Sequence, residues 1–222
     1  INASKISSDD QVLEVGPGTG NLTKLIISQK PKKIYVVEKD KSLAAELEKQ
    51  YYNKINVINK DILKIANEFY SGKKFLILGN LPYNISTKIL SNWCLNNKLN
   101  VSKMILMFQK EVAERILANV NSREYSRITI LSKWKFDIRK ITDVKPNSFF
   151  PKPKINSSVL EFIPKTKIHE IKDPKNLEMI TKVFFSQRRK MINKPMNILF
   201  KKLKFDYKKF NLHPSDRPQN VD

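Results

Sequence analysis

Asn80-Leu81-Pro82-Tyr83 brings together groups that suit one kind of ligand. Asn80 offers a carboxamide, Leu81 and Pro82 offer backbone carbonyls stiffened by the proline ring, and Tyr83 offers a flat aromatic face. A planar ring bearing an exocyclic amine fits that set. Asn80 and the Leu81 or Pro82 carbonyl can accept the amine protons, while Tyr83 stacks on the ring. The stretch follows Gly79 and the apolar run Phe75 to Leu78, which reads as a buried parallel strand ending in a turn. Open α/β sheets keep their sites at that carboxyl edge. A packed tyrosine in a proline turn would account for the same residues without any chemistry, so the weight falls on what else reaches the same edge.

Three other turns do. Gly16-x-Gly18-x-Gly20 lies after the strand-like Gln11 to Val15 and before a helical pattern, where glycines let the backbone approach a nucleotide closely. Taken alone this pattern also suits a dinucleotide enzyme. The spacing is Gly-x-Gly-x-Gly, however, and Glu14 stands just before it. An acid there disfavours a pyrophosphate and tolerates a sulfonium cation. Glu38, 22 residues beyond Gly16, is placed to accept from both hydroxyls of a ribose, as dehydrogenases also arrange. Asp61, at the end of a third strand, can accept from the amino group of an adenine. Glu38 or Asp61 singly would pass for a surface acid, but four such features in order argue for a site.

The elements that must position these residues alternate. Strands are predicted at Gln11 to Val15, Lys33 to Val37, Ile55 to Ile58, Phe75 to Leu78 and Lys103 to Phe108. Helices are predicted at Asn21 to Ser28, Lys41 to Tyr52, Ile62 to Tyr70, Ile85 to Asn96 and Glu111 to Ala118. Residues 126 to 135 suit helix better than strand, and Asp137 to Val144 with Ser157 to Ile163 look like a closing pair of strands. This is an α/β pattern with a parallel sheet and helices on both faces, and right-handed crossovers put the carboxyl ends of its strands along one edge. After Pro164 no strand candidate remains; Pro174 to Gln187 and Met191 to Leu203 read as basic helices. A boundary is expected there, giving one domain over 1–163 and a small, basic helical one over 164–222.

Charge supports a polyanionic partner. The 222 residues include 42 basic and 21 acidic side chains, a net charge of +21, and nucleic acid is the first candidate for a protein this basic. Residues 164–222 hold 15 basic against 6 acidic residues, about twice the density of positive charge of the rest. Lys outnumbers Arg by 35 to 7, a skew that A-rich coding would also produce. Cys94, the only cysteine, excludes an intrachain disulfide and reads as a core thiol. His169 and His213 are isolated in polar stretches, so no metal site is expected. No run has the length of a membrane span and no signal peptide is visible, so a cytoplasmic setting is the default.

Glu14-Val15-Gly16-Pro17-Gly18-Thr19-Gly20, Glu38, Asp61 and Asn80-Leu81-Pro82-Tyr83 together resemble the successive motifs of the rRNA adenine dimethyltransferases. Gln109 to Arg115 and Phe149 to Val159 resemble further segments of that family, and the likeness runs from about residue 10 to 220. It implies a Rossmann-like methyltransferase sheet, S-adenosylmethionine as methyl donor, and an adenine of rRNA as acceptor. It also implies roles for individual residues: Glu14, Gly16, Gly18, Glu38, Asp61 and Asn80 at the donor; Asn80, Leu81, Pro82 and Tyr83 at the target amine; Phe149 on the far face of the base. A monomer is expected. Phe184-Phe185-Ser186-Gln187-Arg188-Arg189-Lys190 is similar to the KsgA-type members, which modify two adjacent adenosines near the 3′ end of small-subunit rRNA. Arg188, Arg189 and Lys190 are then expected on the RNA backbone. The alternatives are an Erm-type enzyme acting on large-subunit rRNA and a non-catalytic RNA-binding assembly factor. The basic arm and the Gly-Gln-Asn-Phe-Leu segment of the family do not appear ahead of Ile1, so a longer native chain is expected, and the C-terminal domain is expected to be truncated.

Overall fold

The computed structural model describes residues 1–148, 155–200 and 205–221. Five parallel strands alternate with helices: β1 (Gln11–Val15), α1 (Asn21–Ser28), β2 (Lys33–Glu38), α2 (Lys41–Gln50), β3 (Asn56–Asn59), β4 (Lys74–Asn80), α3 (Ser86–Leu95), β5 (Asn100–Gln109) and α4 (Lys110–Leu117). Helix α5 (Arg127–Lys135) leads into β6 (Phe136–Val144), and β7 (Ser157–Pro164) returns antiparallel between β5 and β6. The sheet order is β3-β2-β1-β4-β5-β7-β6. The chain winds outward from β1 to β3, then crosses back to β4, so β1 and β4 are neighbours whose following turns leave in opposite directions. Such a switch point opens a crevice at the carboxyl edge.

Alternation along the strands fills both faces. Leu13, Val15, Phe75 and Ile77 enter one core with Ile89, Leu90 and Trp93 of α3. Val12, Val36, Leu76 and Leu78 enter the other with Ile26 of α1 and Leu47 of α2. Helix ends are set by local chemistry. Asp40 accepts from the Ser42 and Leu43 amides at the start of α2, at 2.8 and 3.0 Å, and Ser126 with Thr129 forms a capping box on α5. Gly20 takes φ +83° before α1, and a Cβ on it would lie 2.8 Å from Leu47 Cδ2, so only glycine lets α1 close on α2.

Two predicted helices differ. Residues 62–70 form two short 3-10 turns, Ile62–Lys64 and Asn67–Phe69, with Ile65 and Ala66 extended between them. Asp61 caps the first turn through Leu63 N, and Phe69 stacks on Phe75 at 5.5 Å; packing of that ring onto the sheet overrides continuous helix. The last helix, α7 (Asn193–Leu199), starts later than predicted, and just ahead of it the Ile192 amide donates to Asp216 O at 2.7 Å. Before it, α6 (Pro174–Phe185) packs beside α5, with Arg127 paired to Glu178 at 2.7 Å. Among the described residues no strand follows Pro164, and no helix is long and apolar enough to cross a membrane.

Candidate active site

The turns after β1 and β4 meet. Val15 is level with Gly79, and a Cβ on Gly16 would lie 3.3 Å from the Asn80 carbonyl. Gly16 and Gly18 take φ +70° and +56°, and a Cβ on Gly18 would meet nothing within 4 Å. The first turn is therefore pressed against β4 at one glycine and open to a ligand at the next. Its other side is tied to β2, where Gly16 N donates to Val37 O at 3.1 Å and Gly18 N to Glu38 Oε2 at 3.4 Å.

Glu14 sits in mid-sheet between Val36 and Leu78, 1% exposed. Thr23 Oγ1 donates to its Oε2 at 2.7 Å, while Oε1 is buried without a hydrogen-bond partner. Burial pushes the carboxyl up to about 7, against the opposing pull of the Thr23 bond. A buried, half-satisfied carboxylate is costly, and a cation brought to the glycine turn would relieve it. Glu38, at the end of β2, is held by Asp40 N at 2.9 Å. Asp61 is held by Leu63 N at 3.0 Å and paired with the exposed Lys39 at 3.3 Å. The Leu63 amide, with help from Lys39, keeps its carboxyl below the ordinary range. Open glycine turn, orphaned buried oxygen and strand-end carboxylates together fit a nucleoside that carries positive charge.

On the β4 side, Asn80 is exposed and its carboxamide makes no hydrogen bond among the described residues. Leu81 is 1% exposed and anchors the loop in the core. Pro82 O accepts from Ile85 N at 3.1 Å and so belongs to a turn. Of the two carbonyls considered from sequence, Pro82's already accepts one hydrogen bond, and Leu81's accepts none among the described residues. The Tyr83 hydroxyl shares a 2.6 Å hydrogen bond with Ser157 Oγ on β7, and Tyr83 O accepts from Ser86 Oγ at 3.1 Å. Sequence reasoning missed Ser157; its one signal was a place in the family-like segment ending at Val159, which says nothing of a partner 74 residues away. Phe149 lies outside the described residues.

Arg188 departs from expectation. Its guanidinium donates to the carbonyls of Arg123 and Tyr125, the latter at 3.4 Å, and so ties the end of α6 to the loop before α5. That loop is also clasped by Asn121 N to Gln219 O at 3.0 Å. Arg189 and Lys190 are exposed. His169 and His213 are exposed as well, and no group of three or more metal-ligating side chains occurs among the described residues.

The fold defines the class: a Rossmann-like methyltransferase, with the turns after β1 and β4 meeting at its switch point. Residues 1–217 match the family model described as Ribosomal RNA adenine dimethylase, and the chain belongs to that family of enzymes. It is 52% identical, over 97% of its length and 83% of the relative's, to Ribosomal RNA small subunit methyltransferase A of Pelagibacter ubique (strain HTCC1062). To the protein of the same name from Malacoplasma penetrans (strain HF-2) it is 39% identical, over 100% of this chain and 80% of that one. Among solved structures it is similar to a dimethyladenosine transferase from Plasmodium falciparum, at TM-score 0.76 and 29% identity over 100% of this chain and 89% of that one. The 23S rRNA methyltransferase ErmE shares the fold at TM-score 0.70 and 22% identity, over 100% of this chain and 89% of that one.

Proposed function

We propose that this chain dimethylates the exocyclic amines of two adjacent adenosines near the 3′ end of small-subunit rRNA, in the cytoplasm, during ribosome assembly. The observation that carries the reading is the meeting of the Gly16 turn with the Asn80-Leu81-Pro82-Tyr83 loop at the β1/β4 switch point. The 52% identity to a small-subunit enzyme favours that substrate over the large subunit.

S-adenosylmethionine supplies a methyl group already activated by its sulfonium. Glu38 would hold the ribose hydroxyls, Asp61 the adenine amine of the donor, and the free Glu14 oxygen would face positive charge. An adenine amine is a poor nucleophile because its lone pair is delocalised into the ring. In the first transfer the Asn80 carboxamide oxygen and the Leu81 carbonyl each accept one amine proton, localise that lone pair and aim it in line at the methyl carbon; in the second, the singly methylated amine has one proton left for them to hold. The nitrogen–carbon bond forms as the carbon–sulfur bond breaks, and the proton leaves afterwards to solvent from an amine that has become cationic. No strong base is needed. Tyr83 clamps one face of the base and Phe149 the other, after the base has left its stack. Positioning and oriented dipoles of this kind lower a barrier by several kcal/mol.

Residues 1–163 form the catalytic domain in this reading, and 164–222 carry the basic RNA-binding surface. Arg189 and Lys190 lie on the RNA backbone, with Arg188 as the strut behind them. The chain works as a monomer.

Labelled methyl transfer to unmethylated small and large ribosomal subunits, followed by mapping of the modified nucleosides, tests the function. Dimethyladenosine at two adjacent positions of the small subunit is expected. Label on the large subunit alone would make this an Erm-type enzyme, and binding of the small subunit without transfer would make it an assembly factor.

A further inference from the structure

The Tyr83 ring must lie flat against the target base, yet Tyr83 belongs to a loop. Its backbone lies in the turn closed by Ile85 N on Pro82 O, and its carbonyl accepts from Ser86 Oγ, but neither contact holds the ring. A tyrosine in a loop can swing about χ1 among staggered wells. The phenolic oxygen lies at the far end of the ring axis, so a bond to that atom fixes the axis.

That bond goes to Ser157. Ser157 is fully buried and is the first residue of β7, level with Gln109 of β5 and Val144 of β6. Its neighbours are pinned too. Asn156 O accepts from Lys110 N at 3.0 Å, and Ser158 Oγ donates to Asp143 Oδ1 at 2.6 Å. The start of β7 is thus tied to β5, β6 and α4 at three successive residues.

We propose that Ser157 is a positioning residue for methyl transfer: it holds the Tyr83 hydroxyl so that the ring stands ready for the flipped adenine before the base arrives. Ser157 touches neither substrate. It transfers the rigidity of the antiparallel end of the sheet to a loop that the parallel end presents. The proposal rests on the reading of Tyr83 as the stacking face.

The test is a double-mutant cycle on transfer to the small subunit, using Ser157→Ala, Tyr83→Phe and both together, with Tyr83→Ala as control. Tyr83→Phe keeps the ring and loses the bond from the other side. Each single variant is expected to lower kcat about tenfold, the scale of one neutral hydrogen bond. The double variant should be no slower than either single, because both remove the same contact. Donor Kd and Tm should stay near wild type, which a loss of folding would not allow.

A wild-type kcat in Ser157→Ala would overturn the proposal. So would single losses that multiply to about a hundredfold, or a kcat loss matched by loss of donor affinity and Tm in both single variants. Inactive Tyr83→Ala beside wild-type Ser157→Ala would sink this inference alone. Wild-type activity in Tyr83→Ala would sink the stacking reading on which it rests.

Discussion

Replacing Glu14 with Gln should remove a pH-dependent burden from the empty protein. The carboxyl stands at about 7 in the fold against an ordinary 4.5, with burial the larger cause. At about 1.36 kcal/mol per pH unit, that difference corresponds to roughly 3 kcal/mol. The sign follows from proton uptake. Between pH 4.5 and 7 the folded chain holds a proton that the unfolded chain has released, so the Glu14 contribution is fully present below 4.5 and is lost as pH rises to about 7. Asp61, Asp143 and Glu161 have lowered carboxyl values, so their contributions are present above their unfolded values and are lost as pH falls through the folded ones. Their window lies below Glu14's. Denaturant unfolding of the donor-free protein from pH 4.5 to 8 should show a decline of roughly 3 kcal/mol that is missing in Glu14→Gln. The slope is the readout, because the new amide adds an offset of its own. Donor affinity gives the complementary measurement: with a cation facing Glu14, wild-type binding should weaken about tenfold per pH unit below 7. Equal slopes for the two proteins would refute the argument from the buried, half-satisfied carboxylate.

The remaining predictions concern the donor and the RNA. Glu38→Ala should raise the donor Kd about a hundredfold, the scale of two hydrogen bonds to a charged group, while kcat at saturation changes little; isothermal titration beside saturating turnover separates the two. Arg189→Gln with Lys190→Gln should reduce the slope of log affinity against log salt for rRNA by about 1.5. Arg188→Ala should lower Tm as well, since its Nη1 donates to the carbonyls of Arg123 and Tyr125.

The site was legible to the extent that it consists of residue types at strand ends. Gly16, Glu38, Asp61 and Asn80 each close a run whose burial pattern shows in the sequence, and parallel topology brings such ends to one edge. The break at Ile65 and Ala66 was not legible, because it depends on Phe69 reaching Phe75 across the sheet face. Nor was the order of the closing strands, since β7 lies inside β6 through pairing with β5. Arg188 looked like its neighbours until its partners were seen. Ser157 carried no signal of its own for the same reason: a contact spanning 74 residues belongs to the fold and not to local pattern. The Leu81 carbonyl stood level with Pro82's until the Ile85 amide was found on the latter.

The central claim is that the loop after β4 holds the acceptor amine, and Asn80→Ala tests it most directly. Single-turnover methyl transfer to unmethylated small subunits, with donor affinity measured on the same protein, separates chemistry from binding. Loss of one of two oriented acceptors should cost about a hundredfold or more in rate, with the fold and Tm preserved because the Asn80 side chain is exposed. Near-normal transfer by Asn80→Ala would contradict the account.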